Sequence, residues 1–74
     1  MARVPIANHI RRLRFEAGEM TQEELARRIG MTRQTVAAIE QGKYAPSLEA
    51  AFRIARTFGQ PLEAVFQWKS GDQP

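Results

Sequence analysis

The chain has 74 residues, no cysteine and a formal net charge of +3. That restricts it to one small domain, excludes disulfides and thiolate metal sites, and leaves helix packing or a second subunit to supply stability. No apolar run approaches the roughly 20 residues of a membrane span, and the opening MARVPIANHIRRLR has no signal-peptide h-region, so a soluble, cytoplasmic protein is expected. The charge is uneven. Residues 1–45 carry eight Lys/Arg against five Asp/Glu, while residues 46–74 carry three of each. The positive surplus therefore lies in the first part, which points to an anionic partner there.

In chain order, Arg3-Val4-Pro5-Ile6 can be extended. Ile6, Ile10 and Leu13 recur at helical spacing and predict a first helix over about Ile6–Ala17, with Gly18 behind it as a left-handed stop. Thr21-Gln22-Glu23-Glu24 fits a capping box and opens a second helix, Gln22–Ile29, with Leu25, Ala26 and Ile29 inward and Gly30 at its end. Thr32 caps a third, Arg33–Gln41, followed by Gly42. Ser47 caps a fourth, Leu48–Phe58, whose expected core stripe is Leu48, Ala51, Phe52, Ala55 and Phe58, and Gly59 follows. Pro61 suits the first position of a fifth, Pro61–Phe66, with Leu62, Val65 and Phe66 inward. Beyond it, Phe66 and Trp68 alternate with Gln67 and Lys69 in a strand-like period. The two ends of the chain can therefore pair briefly, with Pro5 confining the pairing to an edge. SGDQP is expected to be disordered. The reading is all-α, with five helices over residues 1–66 and a short tail over 67–74.

The third helix is unusual. At about 100° per residue, Thr35, Val36, Ile39 and Glu40 fall on one side, and Arg33, Gln34, Ala37, Ala38 and Gln41 on the other. The first side can pack on the domain. The second has long hydrogen-bonding groups at its N-terminal end and only methyl groups further along. It suits close approach to a surface such as the major groove of B-DNA, where arginine can grip guanine, glutamine adenine, and alanine a thymine methyl. An ordinary exposed helix, with alanines chosen for propensity, fits this stretch alone equally well. The preceding segment shifts the balance. QEELARRIGMTRQTVAAIEQG is two helices around Gly30-Met31-Thr32, a short glycine-bearing turn of the helix-turn-helix kind. Ala26 is small where the helices cross, Gly30 begins the turn without a Cβ penalty, and Val36 and Ile39 fill the angle between them.

With LRFEAGEMTQEELARRIGMTRQTVAAIEQGKYAPSLEAAFRIARTFGQPLEAVF, the chain resembles the Cro/phage-repressor (Xre-type) family of helix-turn-helix regulators over nearly its whole length. TQEELA, TRQT, IEQGKYAPSL and PLEAVF carry the likeness together. The turn AGEM before Thr21 is one residue longer than the commonest family form. The resemblance implies a lambda-repressor-like domain over 1–66, with the motif at about 22–41, that binds double-stranded DNA. It implies that Gln22 braces against phosphate, and that Arg33, Gln34 and Ala38 read bases. Thr32 and Thr35 are placed for phosphate or base, and Lys43 and Tyr44 meet the backbone after the third helix. It also implies an ion pair between Glu40 and an arginine of the first helix, for which Arg14 is the expected partner. The chain is similar to the minimal regulators that pair a DNA-binding domain with a short dimerisation element. Leu62, Val65, Phe66 and Trp68 could supply the apolar patch of a homodimer, or simply cap the monomer core. The expected function is a regulator, a repressor in the simplest case, acting as a homodimer on a palindromic operator.

Other classes fit less well. His9 is the only histidine, with no cysteine or acid at catalytic spacing, and reads as a surface residue at a helix start. Glu23 and Glu24 serve the first turn of a helix, where the dipole favours acids. No enzyme, metal or cofactor is expected. A protein-interaction module of the antitoxin type, with a protein partner and autoregulation of its own promoter, is the main rival. RNA binding is less favoured, because few exposed aromatics are available to stack bases.

Overall fold

Three hydroxyl residues start three of the helices. The structure, a computed structural model, describes residues 4–69. The elements in order are β1 (Ile6–Asn8), α1 (Ile10–Glu16), α2 (Gln22–Ile29), α3 (Arg33–Glu40), α4 (Leu48–Thr57), α5 (Leu62–Val65) and β2 (Phe66–Trp68). Thr21 Oγ1 accepts from Glu24 N–H at the head of α2, Thr32 Oγ1 from Thr35 N–H at α3, and Ser47 Oγ from Ala50 N–H at α4. Each cap satisfies one otherwise orphaned donor and contributes about 1 kcal/mol. Only half of the capping box forms at α2, because the Glu24 carboxylate turns along the helix to Arg28 Nη2 at 2.7 Å.

Closure at the other end of α2 sets up the turn into α3. Gly30 sits at φ +74°. Met31 N–H donates to Ala26 C=O at 2.8 Å and Gly30 N–H to Arg27 C=O, the paired bonds of a Schellman motif. This brings Met31 down onto the core and leaves Thr32 free to cap α3. The α1–α2 turn absorbs its extra residue through two consecutive left-handed positions, Gly18 at φ +83° and Glu19 at φ +60°. Met20 N–H then closes back onto Arg14 C=O at 2.9 Å.

The core is a single cluster built from Ile10 and Leu13 of α1, Met20 of the turn that follows, Leu25, Ala26 and Ile29 of α2, Val36 and Ile39 of α3, Ile54 and Ala55 of α4, and Val65 of α5. Met31, Phe58, Leu62 and Phe66 pack against it, partly buried. Among the described residues every enclosed side-chain N or O atom has a hydrogen-bond partner, and no helix is long and apolar enough to cross a membrane.

Three expectations need correction. The first helix begins at Ile10, not Ile6. Ile6–Asn8 instead pairs antiparallel with Phe66–Trp68, in the register Ile6↔Trp68, Ala7↔Gln67 and Asn8↔Phe66. The ribbon is closed by His9 N–H to Val65 C=O at 2.9 Å and Lys69 N–H to Pro5 C=O at 3.1 Å. Asn8 makes the switch from strand to helix: its Oδ1 accepts from Ile10 N–H and its Nδ2 donates to Ile39 C=O. The terminal pairing is thus present, shifted inward from the segment expected. Arg3 and the tail 70–74 lie outside the described residues.

The second correction concerns α4. Leu48 is 69% and Phe52 48% exposed, whereas Ala50, Ala51, Ile54 and Ala55 are buried. The inward stripe is rotated from the one expected and includes Ile54, fully enclosed, which the expected stripe missed. α4 packs against α2, and its buried side is made of Ala50, Ala51, Ala55 and the branched Ile54. The last helix is also shorter than the expected Pro61–Phe66: Pro61 occupies the N-cap position, α5 runs over Leu62–Val65, and Phe66 belongs to β2.

Candidate nucleic-acid interface

α3 presents two unlike sides. Val36 and Ile39 are almost completely enclosed, 1% and 2% exposed, and fix the helix against α2. Arg33, Gln34 and Gln41 are exposed, and Ala37 and Ala38 are half-buried. Long polar side chains thus stand at the N-terminal end of the outer side, with methyl groups in its middle. Thr32 is exposed and Thr35 half-buried. Their hydroxyls lie 3.0 Å apart, so the cap also ties the two threonines together at the head of the helix.

The angle between the helices is locked from behind by charge. Arg14 Nε donates to Glu40 Oε2 at 2.6 Å and Arg14 Nη2 to Glu40 Oε1 at 3.1 Å, a two-pronged pair. The side chains are 15% and 8% exposed. A bidentate arginine–carboxylate pair is strong and directional. Arg14 Nη1 also donates to Met20 C=O at 2.8 Å, so one guanidinium holds both the carboxylate of α3 and the turn entering α2. The expected ion pair is therefore formed, extra turn residue notwithstanding.

Gln22 joins the same network. Its Nε2 donates to Glu40 Oε1 at 3.1 Å. No local pattern signals this contact, because it joins two helices through residues 18 positions apart. It anchors one end of the amide that the resemblance assigns to phosphate. The second N–H on Nε2 and the amide oxygen are not used by this bond, since a glutamine amide offers two donors and an acceptor.

Beyond α3, Gly42 at φ +75° repeats the Schellman closure. Lys43 N–H donates to Ala38 C=O at 3.0 Å and Gly42 N–H to Ile39 C=O. Lys43 is thereby held directly behind the helix, exposed. Tyr44 is 48% exposed and lines a shallow cleft with Ala45, Pro46, Ile6 and Phe66. Thr32, Arg33, Gln34, Thr35 and Ala38 thus share α3 and its cap, Lys43 and Tyr44 follow it, and Gln22 stands beside it on Glu40.

The four residues expected at a dimer contact divide. Val65 is fully enclosed in the monomer core and supports the surface from beneath. Leu62 and Phe66 are half-buried against that core, and Trp68 is 50% exposed on β2. His9 occupies the N-cap position of α1 without capping it.

Residues 10–65 match the helix-turn-helix family model. An uncharacterized HTH-type transcriptional regulator of Methanothermobacter thermautotrophicus is 55% identical over 58 residues, covering 77% of this chain and 83% of the relative. One from Methanocaldococcus jannaschii is 49% identical over 53 residues, covering 72% and 80%. The cryptic phage CTXphi transcriptional repressor RstR of Vibrio cholerae is 38% identical over 56 residues, covering 76% of this chain and 50% of its own length.

Proposed function

We propose, for a chain that belongs to the Cro/phage-repressor (Xre-type) family of helix-turn-helix transcriptional regulators, that it represses transcription as a homodimer with α3 in the major groove of a palindromic operator. The observation that carries this reading is the outer side of α3. Exposed Arg33 and Gln34 stand ahead of Ala37 and Ala38, so the reading groups project while the middle of the helix lies low. Arg33 and Gln34 select bases, and Ala38 packs on the groove floor. Gln22, Thr32, Thr35, Lys43 and Tyr44 set the register on the phosphates, a role that positions without specifying. Repression follows from occupancy of a promoter, the action named for the phage relative.

Two copies are needed for useful specificity. A single module of this kind buries only about 600–1,000 Å² on DNA, and a dyad lets two such helices read half-sites about 34 Å apart. The exposed ring of Trp68, beside half-buried Leu62 and Phe66, supports a contact between copies. Sedimentation should show a dimer at micromolar concentration, and a monomer at high micromolar concentration would overturn this part.

Selection of bound duplexes from a random pool tests the reading as a whole. It should return one motif with inverted repeats. Against that motif, Arg33→Ala or Gln34→Ala should each cost about 1–3 kcal/mol and relax the choice of one base pair. Equal weakening on every sequence would remove the base-reading role.

A further inference from the structure

α1 carries three arginines whose charges are used differently. Arg14 is neutralised by Glu40. Arg12 stands 3.8 Å from Glu16 one turn on, both well exposed. Arg11 is exposed and, among the described residues, enters no ion pair and no side-chain hydrogen bond.

Its place in the fold is specific. Two surface grooves, of about 460 and 410 Å³, meet at Arg11 and Phe15. The first reaches Glu40, and the second reaches Arg14 and Thr21. Gln22 lies between these landmarks, because it follows Thr21 in the chain and donates to Glu40 at 3.1 Å. Arg11 therefore borders the same edge of the molecule as Gln22, one turn from Arg14 on α1. Glu19 also lines the second groove but forms no ion pair with Arg11, so the guanidinium donors stay uncommitted to a carboxylate.

We propose that Arg11 is a further phosphate-binding residue, which grips the duplex backbone beside the phosphate braced by Gln22. This rests on the duplex-binding reading above. A guanidinium on a long, uncommitted side chain suits phosphate, which it can grip through two parallel N–H donors. The contact extends the backbone-binding edge from α2 and α3 onto α1, outside the helix-turn-helix motif. It also gives the cationic surplus of the first part of the chain a place to act.

The test is the salt dependence of affinity, measured on a selected duplex and on an unrelated one. Each phosphate neutralised contributes about 0.9 to the slope of log affinity against log salt. Arg11→Ala should lower that slope by about one per protomer and weaken both duplexes by a similar factor, on the order of several-fold at moderate salt. Arg11→Lys should keep most of the slope, because the charge is retained. Arg56→Ala, which removes an exposed arginine near the far end of α4, is the control and should leave the slope unchanged. An unchanged slope for Arg11→Ala, with Lys43→Ala still lowering it, would overturn the inference and leave the duplex reading intact. A wild-type protein that binds no duplex would overturn both. Alanine at an exposed position in the first turn of a helix is well tolerated, and an unchanged melting temperature separates the effect from unfolding.

Discussion

α3 and α4 are consecutive capped helices, and each carries alanines, yet they use them in opposite ways. In α3, Ala37 and Ala38 lie on the outer side and the branched Val36 and Ile39 lie within. In α4, Ala50, Ala51 and Ala55 lie within beside Ile54, and the equally large or larger Leu48 and Phe52 lie outside. Hydrophobic size therefore does not decide which side of a helix is buried. What decides is the shape of the neighbouring surface. α4 packs against α2 and buries three alanines beside Ile54. α3 must leave a low outer side if another surface is to come close to it.

Three substitutions would break or sharpen that contrast. The largest effect is expected for Glu40→Ala, which strands Arg14 in a mostly enclosed site. Removing one partner of a buried pair costs about 3–5 kcal/mol, a large share of a small domain's stability, read as a fall in the denaturant midpoint. It should also weaken duplex binding, because Gln22 loses its anchor. Next comes Ala55→Leu, which forces bulk between α4 and the core. Overpacking of this kind costs about 1–3 kcal/mol, visible as a lower melting temperature. A stability equal to wild type would mean that α4 is not held close. The smallest effect is expected for Leu48→Ser. At 69% exposure its loss should change stability by within about 0.5 kcal/mol. A larger fall in the monomer's stability would return Leu48 to the core stripe that its spacing suggests.

Much of this was legible in the sequence, and the parts that were not share a cause. Thr21, Thr32 and Ser47 are local signals with local partners three residues on, and all three act as caps. Gly30 and Gly42 close helices for equally local reasons. The pair Arg14–Glu40 was reachable only through the resemblance, because its members are 26 positions apart. The start of α1 was misplaced because Ile6 and Ile10 fit a helical period equally well. The strand wins through tertiary ties, namely the ribbon with β2 and the Asn8 amide on Ile39 C=O. In α4 the expected Ala51, Ala55 and Phe58 do turn inward, but Leu48 and Phe52 stay outside and Ile54 takes their place, because side-chain size alone does not fix the phase of a helical stripe. The link between Gln22 and Glu40 had no sequence signal at all.

The decisive variant is Ala38→Glu, with affinity for a selected duplex and melting temperature measured on the same preparation. A carboxylate in the middle of the low outer side of α3 would meet the groove floor and the phosphate field together. Duplex binding should be lost while the melting temperature stays near wild type. Binding of wild-type strength by this variant would contradict the major-groove reading, because the outer side of α3 would then lie away from the DNA.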